Sequence, residues 1–202
     1  MTMSDEKQAV LEVAQRARTA SASLRNVSRA DKDAALEAMA TALVLHTDVI
    51  VEANAKDVQA AIDNGTDAGI IDRLTLNRSR IEAVAQGLRD VAALPDPVGE
   101  VVRGYTLPNG LEIRQVRVPM GVVAMIYEAR PNVTVDAAGL ALKSGNCAIL
   151  RGSSSAFHTN VELVAVMRSA LENTAVPVDA VQLAPGTTHE AAKHLMLSLI
   201  HI

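Results

Sequence analysis

The 202-residue chain holds one cysteine, Cys147, and no tryptophan. A single cysteine excludes an internal disulfide framework and any multi-cysteine metal site. The five histidines stand in neither HExxH nor HxH spacing, so no metal is expected. No apolar run reaches the roughly 18 residues needed to span a bilayer, and the start MTMSDEKQAV lacks the basic-then-apolar order of a secretory signal. These absences predict no membrane partner and a cytoplasmic location. A net charge of −4, with 19 scattered Lys and Arg, argues against a nucleic-acid surface. Two nucleotide signatures are missing as well: there is no GxGxxG and no GxxxxGK[ST].

What is present is apolar mass and a change of pattern along the chain. Apolar residues make up 49%, ample for a sizeable core. The first hundred residues read as helices. Over 31–45, Leu36, Met39, Ala40, Leu43 and Val44 recur at helical spacing, with Ser28 or Asp31 as cap. Similar reasoning predicts helices over 6–24, 48–63 with Asn64-Gly65 as its stop, 77–94 using Ile81, Val84, Leu88 and Val91, and a short turn over 68–74. Pro95 and Pro97 end this part.

The pattern then changes to strands. Alternation around Pro108-Asn109-Gly110 predicts a β-hairpin with arms 101–107 and 111–118. It has little apolar mass and is marginal alone, so it is expected to pack on something else, such as another subunit. From Pro119 onward, strands at 122–127, 148–150 and 181–183 alternate with helices at 133–143, 155–173 and 188–197. That order predicts a parallel sheet. Three strands are about half of a doubly wound sheet, which predicts one uncovered side and an unpaired edge. The expectation is an incomplete chain, with 198–202 foreign to the natural protein.

The segment 117–155 reads as a nucleotide site. The strand at 121–127 breaks into Glu128, Arg130, Pro131 and Asn132 at its carboxyl end, where ligands sit in open α/β sheets. The turn Pro185-Gly186-Thr187 offers backbone amides to a nucleotide before the last helix. Read alone, Asn132 also suits the cap of a helix starting at Val133, and Arg151-Gly152-Ser153-Ser154 suits a plain surface turn.

The combination PMGVVAMIYEARPNVTVDAAGLALKSGNCAILRGSSS, with PVDAVQLAPG at 177–186 and VEANAKDVQAA in the helical part, resembles the gamma-glutamyl phosphate reductases, a branch of the aldehyde dehydrogenase superfamily. YEARPNVTVD carries the most specific part of the likeness. The resemblance implies an α/β, aldehyde dehydrogenase-like fold. Its parts would be a helical portion of the cofactor-binding domain (1–98), an oligomerisation hairpin (99–118) and a partial Rossmann-like NADP-binding domain (119–197). It further implies NADPH-dependent reduction of L-glutamyl 5-phosphate to L-glutamate 5-semialdehyde and phosphate, within proline biosynthesis. Homo-oligomers through the hairpin and association with the preceding pathway kinase are implied too.

By the same resemblance Asn132 stands at the oxyanion-donor position. Arg151 stands where a basic residue reaches the adenosine ribose, followed by Gly152, Ser153 and Ser154, with Gly186 on the next turn. NAD-selective members of the superfamily often carry a glutamate where Ser154 stands, so its absence favours a 2′-phosphate. Arg130 and Glu128 are candidate substrate contacts, or they pair with other loops and only shape the site. Tyr127 reads as a core residue with a satisfied hydroxyl, and His46, His158, His189 and His194 as surface or helix residues. Cys147, opening a buried strand, reads as a small core hydrophobe. The family's nucleophilic cysteine is expected outside this chain, which would then be inactive alone. Two alternatives stay open: a nucleotide-binding fragment without catalysis, or another acyl-phosphate or aldehyde oxidoreductase of the superfamily.

Overall fold

A computed structural model describes residues 3–198, with side chains from residue 5 onward. Residues 199–202, most of the expected foreign tail, lie outside the described residues. Five helices come first: α1 (Met3–Leu24), α2 (Arg29–Leu45), α3 (Thr47–Asp63), α4 (Ala68–Leu74) and α5 (Arg78–Ala93). Their ends follow from local chemistry. Ser28 caps α2 by accepting from Asp31 N at 3.2 Å, and its hydroxyl donates back to the Asp31 carboxylate at 2.6 Å. Asn77 caps α5 through Arg80 N at 2.9 Å. Gly65, at φ 66°, takes the left-handed turn that ends α3.

The stripe expected on α2 is the centre of the core. Leu36, Met39, Ala40 and Leu43 are fully buried, facing Ile81, Ala85 and Leu88 of α5. Helix α6 (Pro131–Lys143) approaches α5 so closely that a Cβ on Gly139 would lie 2.5 Å from Leu88. Two buried ammonium groups lock the end of this helical layer. Lys32 pairs with Asp96 at 2.6 Å, and Lys143 pairs with Asp33 and donates to Ala92 O. Burial works against the Asp96 carboxylate, but the Lys32 hydrogen bond, the Val98 N–H and the Lys143 charge hold its pKa below the ordinary value.

Strands β1 (Val101–Thr106) and β2 (Glu112–Val116) form the expected antiparallel hairpin around Pro108-Asn109-Gly110. Every residue of β1 is exposed, and in β2 only Ile113 is half-buried. The second arm stops two residues earlier than its alternation suggested.

The parallel sheet runs in the order β3 (Val122–Ile126), β4 (Cys147–Arg151), β5 (Val181–Leu183). Helices α6 and α7 (Phe157–Leu171) cover one face, while α1 and α8 (His189–Met196) cover the other. The expectation of an uncovered side is therefore corrected. Helix α1, assigned from sequence to the helical part, fills that face with Val10, Val13, Ala14 and Ala17. The bare edge is real: β3 pairs only with β4 among the described residues, and Met125 and Ile126 at its end are exposed. β4 is buried from Cys147 to Leu150, as a central strand requires.

Candidate functional site at the carboxyl ends of the strands

The parallel register brings the loops after β3, β4 and β5 to one end of the sheet. After β3 the chain turns through Glu128, Ala129 and Arg130, and Pro131 opens α6 at the position where a missing N–H costs nothing. The helix begins two residues before the sequence suggested. Asn132 is therefore inside the first turn, and Arg130 holds the cap position without a side-chain capping bond. The reading of Asn132 as a cap is set aside. Its side-chain amide donates to Asp136 Oδ2, one turn on, at 3.2 Å. Burial raises the Asp136 pKa, with the Asn132 hydrogen bond acting against the rise.

The Asn132 amide carries two N–H groups, and Asp136 uses one. The other has no partner among the described residues. Glu128 and Arg130 are both exposed, and neither side chain has a hydrogen bond or ion pair among the described residues. Arg130 and Asn132 line one cavity of about 380 Å³, together with Arg73, Arg80 and Asp72 from the α4–α5 region. Glu128 does not line it.

The loop after β4 is built differently. Arg151 Nη2 donates to Thr187 O at 2.8 Å and Thr188 O at 2.9 Å, tying this loop to the start of α8. Its Nε is buried and has no partner among the described residues. Gly152 is fixed by packing, since a Cβ there would collide with the Asn160 amide and the Tyr127 ring. The Tyr127 hydroxyl bonds Thr134 Oγ1 at 2.8 Å, which in turn donates to Asn160 Oδ1 at 2.7 Å. Burial pushes the Tyr127 phenol up to about 12, so it is a satisfied structural hydroxyl, as expected. Ser153 Oγ accepts from Ser155 N at 3.2 Å, and Ser154 is exposed.

The turn after β5 has Gly186 at φ +79°, and a Cβ there would run into the Glu6 carboxylate. Both Glu6 oxygens accept from the Thr188 hydroxyl at 2.9 Å. The Gly186 face of this turn is thus occupied by an acid of α1. Ser154, Ser155 and Thr187 line a second cavity, of about 520 Å³, closed on its far side by Asp57, Ile70 and Leu74. Helix α4 lies between the two cavities, Ile70 and Leu74 on one side, Asp72 and Arg73 on the other.

Several site-shaping residues escaped the sequence reading. Asp57 accepts from His158 N, Thr159 N and the Thr159 hydroxyl at 3.2, 2.8 and 2.6 Å, which fills the amino-terminal anion position of α7. Asn54 donates to Leu74 O at 2.9 Å and accepts from Leu76 N at 2.7 Å. The signal was available: Ile50, Asn54, Asp57 and Ala61 form one buried stripe of α3, two of them polar. Cys147 is fully buried, and burial together with the Asp179 charge pushes its thiol up to about 12. His46, His158 and His189 are exposed and His194 half-buried, as expected.

The end of β4 thus carries a cation at 151, exposed hydroxyls at Ser154 and Ser155, and no carboxylate between residues 152 and 156; the unpaired Arg151 Nε is buried. Among the described residues no cluster of side chains suits a metal ion, and no single helix is long and apolar enough to cross a membrane.

Comparison with known proteins places the fold in a family. A gamma-glutamyl phosphate reductase of Thermobifida fusca (strain YX) is 59% identical over 194 residues, which is 96% of this chain and 46% of that protein. The crystal structure of gamma-glutamyl phosphate reductase from Thermotoga maritima superposes with a TM-score of 0.90 at 39% identity, covering 93% of this chain and 45% of that one. The corresponding Saccharomyces cerevisiae structure gives 0.80 at 35% identity, over 85% of this chain and 45% of that one. A probable aldehyde dehydrogenase from Listeria monocytogenes, at 17% identity and a TM-score of 0.75, shares the fold over 96% of this chain and 40% of its own. The chain thus spans less than half the length of these relatives. The model of the aldehyde dehydrogenase family matches residues 2–198, through the helical layer, the hairpin and the parallel sheet alike, and the chain belongs to that family.

Proposed function

We propose that this chain is the cofactor-holding part of a cytoplasmic, NADPH-dependent reductase that converts L-glutamyl 5-phosphate to L-glutamate 5-semialdehyde and phosphate, a step toward proline. The observation that carries the reading is the 59% identity to a named gamma-glutamyl phosphate reductase across 194 residues. The family implies a nicotinamide cofactor, and the cation and hydroxyls at the end of β4 suit its phosphates.

The overall change replaces the acyl carbon's bond to phosphate by a bond to hydrogen: acyl phosphate, NADPH and a proton give aldehyde, phosphate and NADP. A bound nicotinamide supplies hydride. This chain's residues do the rest of the holding and polarising. Asn132, in the lining of the 380 Å³ cavity, keeps one amide N–H free, and it is this N–H that donates to the oxygen that becomes negative when the acyl carbon is attacked. Arg151 and the 152–154 backbone hold the adenosine end. The Arg151 charge favours a 2′-phosphate, and Ser154 presents no carboxylate against it. Gly186 gives the adjoining turn its shape rather than a ligand bond. Glu128 rims the site.

Cys147 takes no part in the chemistry: its thiol is buried with a raised pKa, and attack on the acyl carbon requires a thiolate. The nucleophile belongs to a part of the full-length protein outside residues 1–202. In this reading 1–98 and 119–197 build the cofactor domain, and the exposed 99–118 hairpin joins subunits. Association with the preceding pathway kinase follows the same resemblance. The test is NADPH oxidation by the full-length protein with L-glutamyl 5-phosphate, releasing one phosphate per NADPH. Consumption of NADPH without phosphate release sinks the reading.

A further inference from the structure

Resting on that function, we infer that Arg73 and Arg130 are a clamp for the α-carboxylate of the amino-acid substrate, set in the cavity that holds Asn132. Charge gives the first argument. The cavity is lined by Arg73, Arg80, Arg130 and one carboxylate, Asp72. Asp72 is already taken by Arg80 Nη2 at 2.8 Å. Arg73 and Arg130 line the same space, and neither guanidinium group has a counter-ion or a hydrogen bond among the described residues. Several other arginines are ion-paired, Arg29 with Asp33, Arg78 with Asp48, Arg89 with Glu37, Arg117 with Glu100 and Arg168 with Asp179, while Arg103 lies over the Tyr105 ring and Arg151 bonds two carbonyls. Two unpaired guanidinium groups, from segments 57 positions apart, converging on one cavity make a site for an anion.

Preorganisation gives the second. The segment that carries Arg73 is pinned from below by Asn54, which bonds Leu74 O and Leu76 N. Arg80 pins it from above, donating to Thr75 O at 2.7 Å and to Asp72 O. Arg130 is placed by the rigid Pro131 start of α6. The backbone that carries both side chains is therefore fixed before the ligand arrives, and only the two exposed guanidinium groups are ordered on binding.

Chemistry selects the carboxylate. Phosphate must leave in each turnover, whereas the α-carboxylate stays on the molecule from substrate to product. A planar guanidinium also matches a carboxylate with two parallel N–H donors. A cavity of about 380 Å³ lies at the small end of ligand cavities, roughly 300–1,000 Å³, and suits a molecule of this size. Asn132 in the same lining places the polarised carbonyl oxygen and the anchored end within one short substrate.

The experiment uses Arg73→Ala, Arg73→Lys and Arg130→Ala in the full-length protein, running the reaction backwards so that semialdehyde and phosphate are separate substrates. Both alanine variants should raise KM for the semialdehyde by roughly tenfold to a hundredfold, with KM for phosphate and for NADP unchanged. Arg73→Lys should recover part of the loss. The wild-type preference for semialdehyde over its analogue lacking the α-carboxylate should collapse in both alanine variants. Unchanged semialdehyde KM overturns the clamp, and a rise confined to phosphate moves the arginines to the leaving group and overturns it too. If the wild type shows no activity, the functional reading fails instead. The clamp is then judged by equilibrium binding of L-glutamate, which must weaken in both alanine variants for it to stand.

Discussion

The loops after β3 and β4 lie side by side at one end of the sheet, yet they are made in opposite ways. In the 127–132 loop the polar tips of Glu128 and Arg130, and one N–H of Asn132, have no partner among the described residues. In the 151–155 loop, Arg151 is bonded to two carbonyls of the next loop, Gly152 has no room for a Cβ, and Ser153 closes its own turn. Side chains with unused donors can act on a ligand without disturbing the fold. Side chains wired into neighbouring loops cannot be changed without moving them. The first loop is suited to polarising and gripping a reacting molecule, and the second to holding a bound one in a fixed place.

Substitutions in the full-length protein separate these two behaviours. The largest effect is expected at Asn132→Ala, a fall in kcat of about 100- to 1,000-fold with KM for NADPH and the melting temperature nearly unchanged. Single-turnover rate and thermal unfolding on one sample check this, and a lowered melting temperature with a normal rate would reverse the comparison. Arg151→Ala should weaken NADPH by roughly 10- to 100-fold and NADH much less. Losing the bonds to Thr187 and Thr188 should also lower its melting temperature, which titrations of both cofactors and a melting curve will show.

Gly152→Ala tests wiring alone. Overpacking against Asn160 and Tyr127 should cost about 1–3 kcal/mol in denaturant unfolding. A last effect, on pH dependence, lies outside both loops. The folded pKa of Asp96 is lowered, so its stabilising contribution is fully present above the unfolded value near 4 and fades as pH falls through the folded one. Asp96→Asn should therefore flatten the acid side of a stability-against-pH curve below about pH 4 and leave the neutral side with its shape unchanged.

Much of this architecture was legible in the sequence because its signals are local. Helical stripes such as Leu36-Met39-Leu43, the Ser28 cap, and the Pro-Asn-Gly turn each act within a few residues. The start of α6 was misplaced because Pro131 was read as part of the loop, although proline suits the first helical position. The coverage of the second sheet face was missed because α1 is about 100 residues or more from the strands it protects, and no local pattern announces that. Arg73 was invisible for a similar reason. An exposed arginine in a short helix carries no signal until folding sets it beside Arg130 and Asn132. The resemblance points to Arg151 and Ser154, but the attachment of Arg151 to Thr187 and Thr188 depends on the register of β4 and β5.

The central claim, reduction of an acyl phosphate by a member of this family, is tested most directly by the phosphate requirement of the reverse reaction. Full-length protein supplied with L-glutamate 5-semialdehyde and NADP should form NADPH only when inorganic phosphate is added, with acyl phosphate as the product. NADPH formation at the same rate without phosphate, giving free glutamate, would mark a hydrolytic aldehyde dehydrogenase that uses water and would contradict the account.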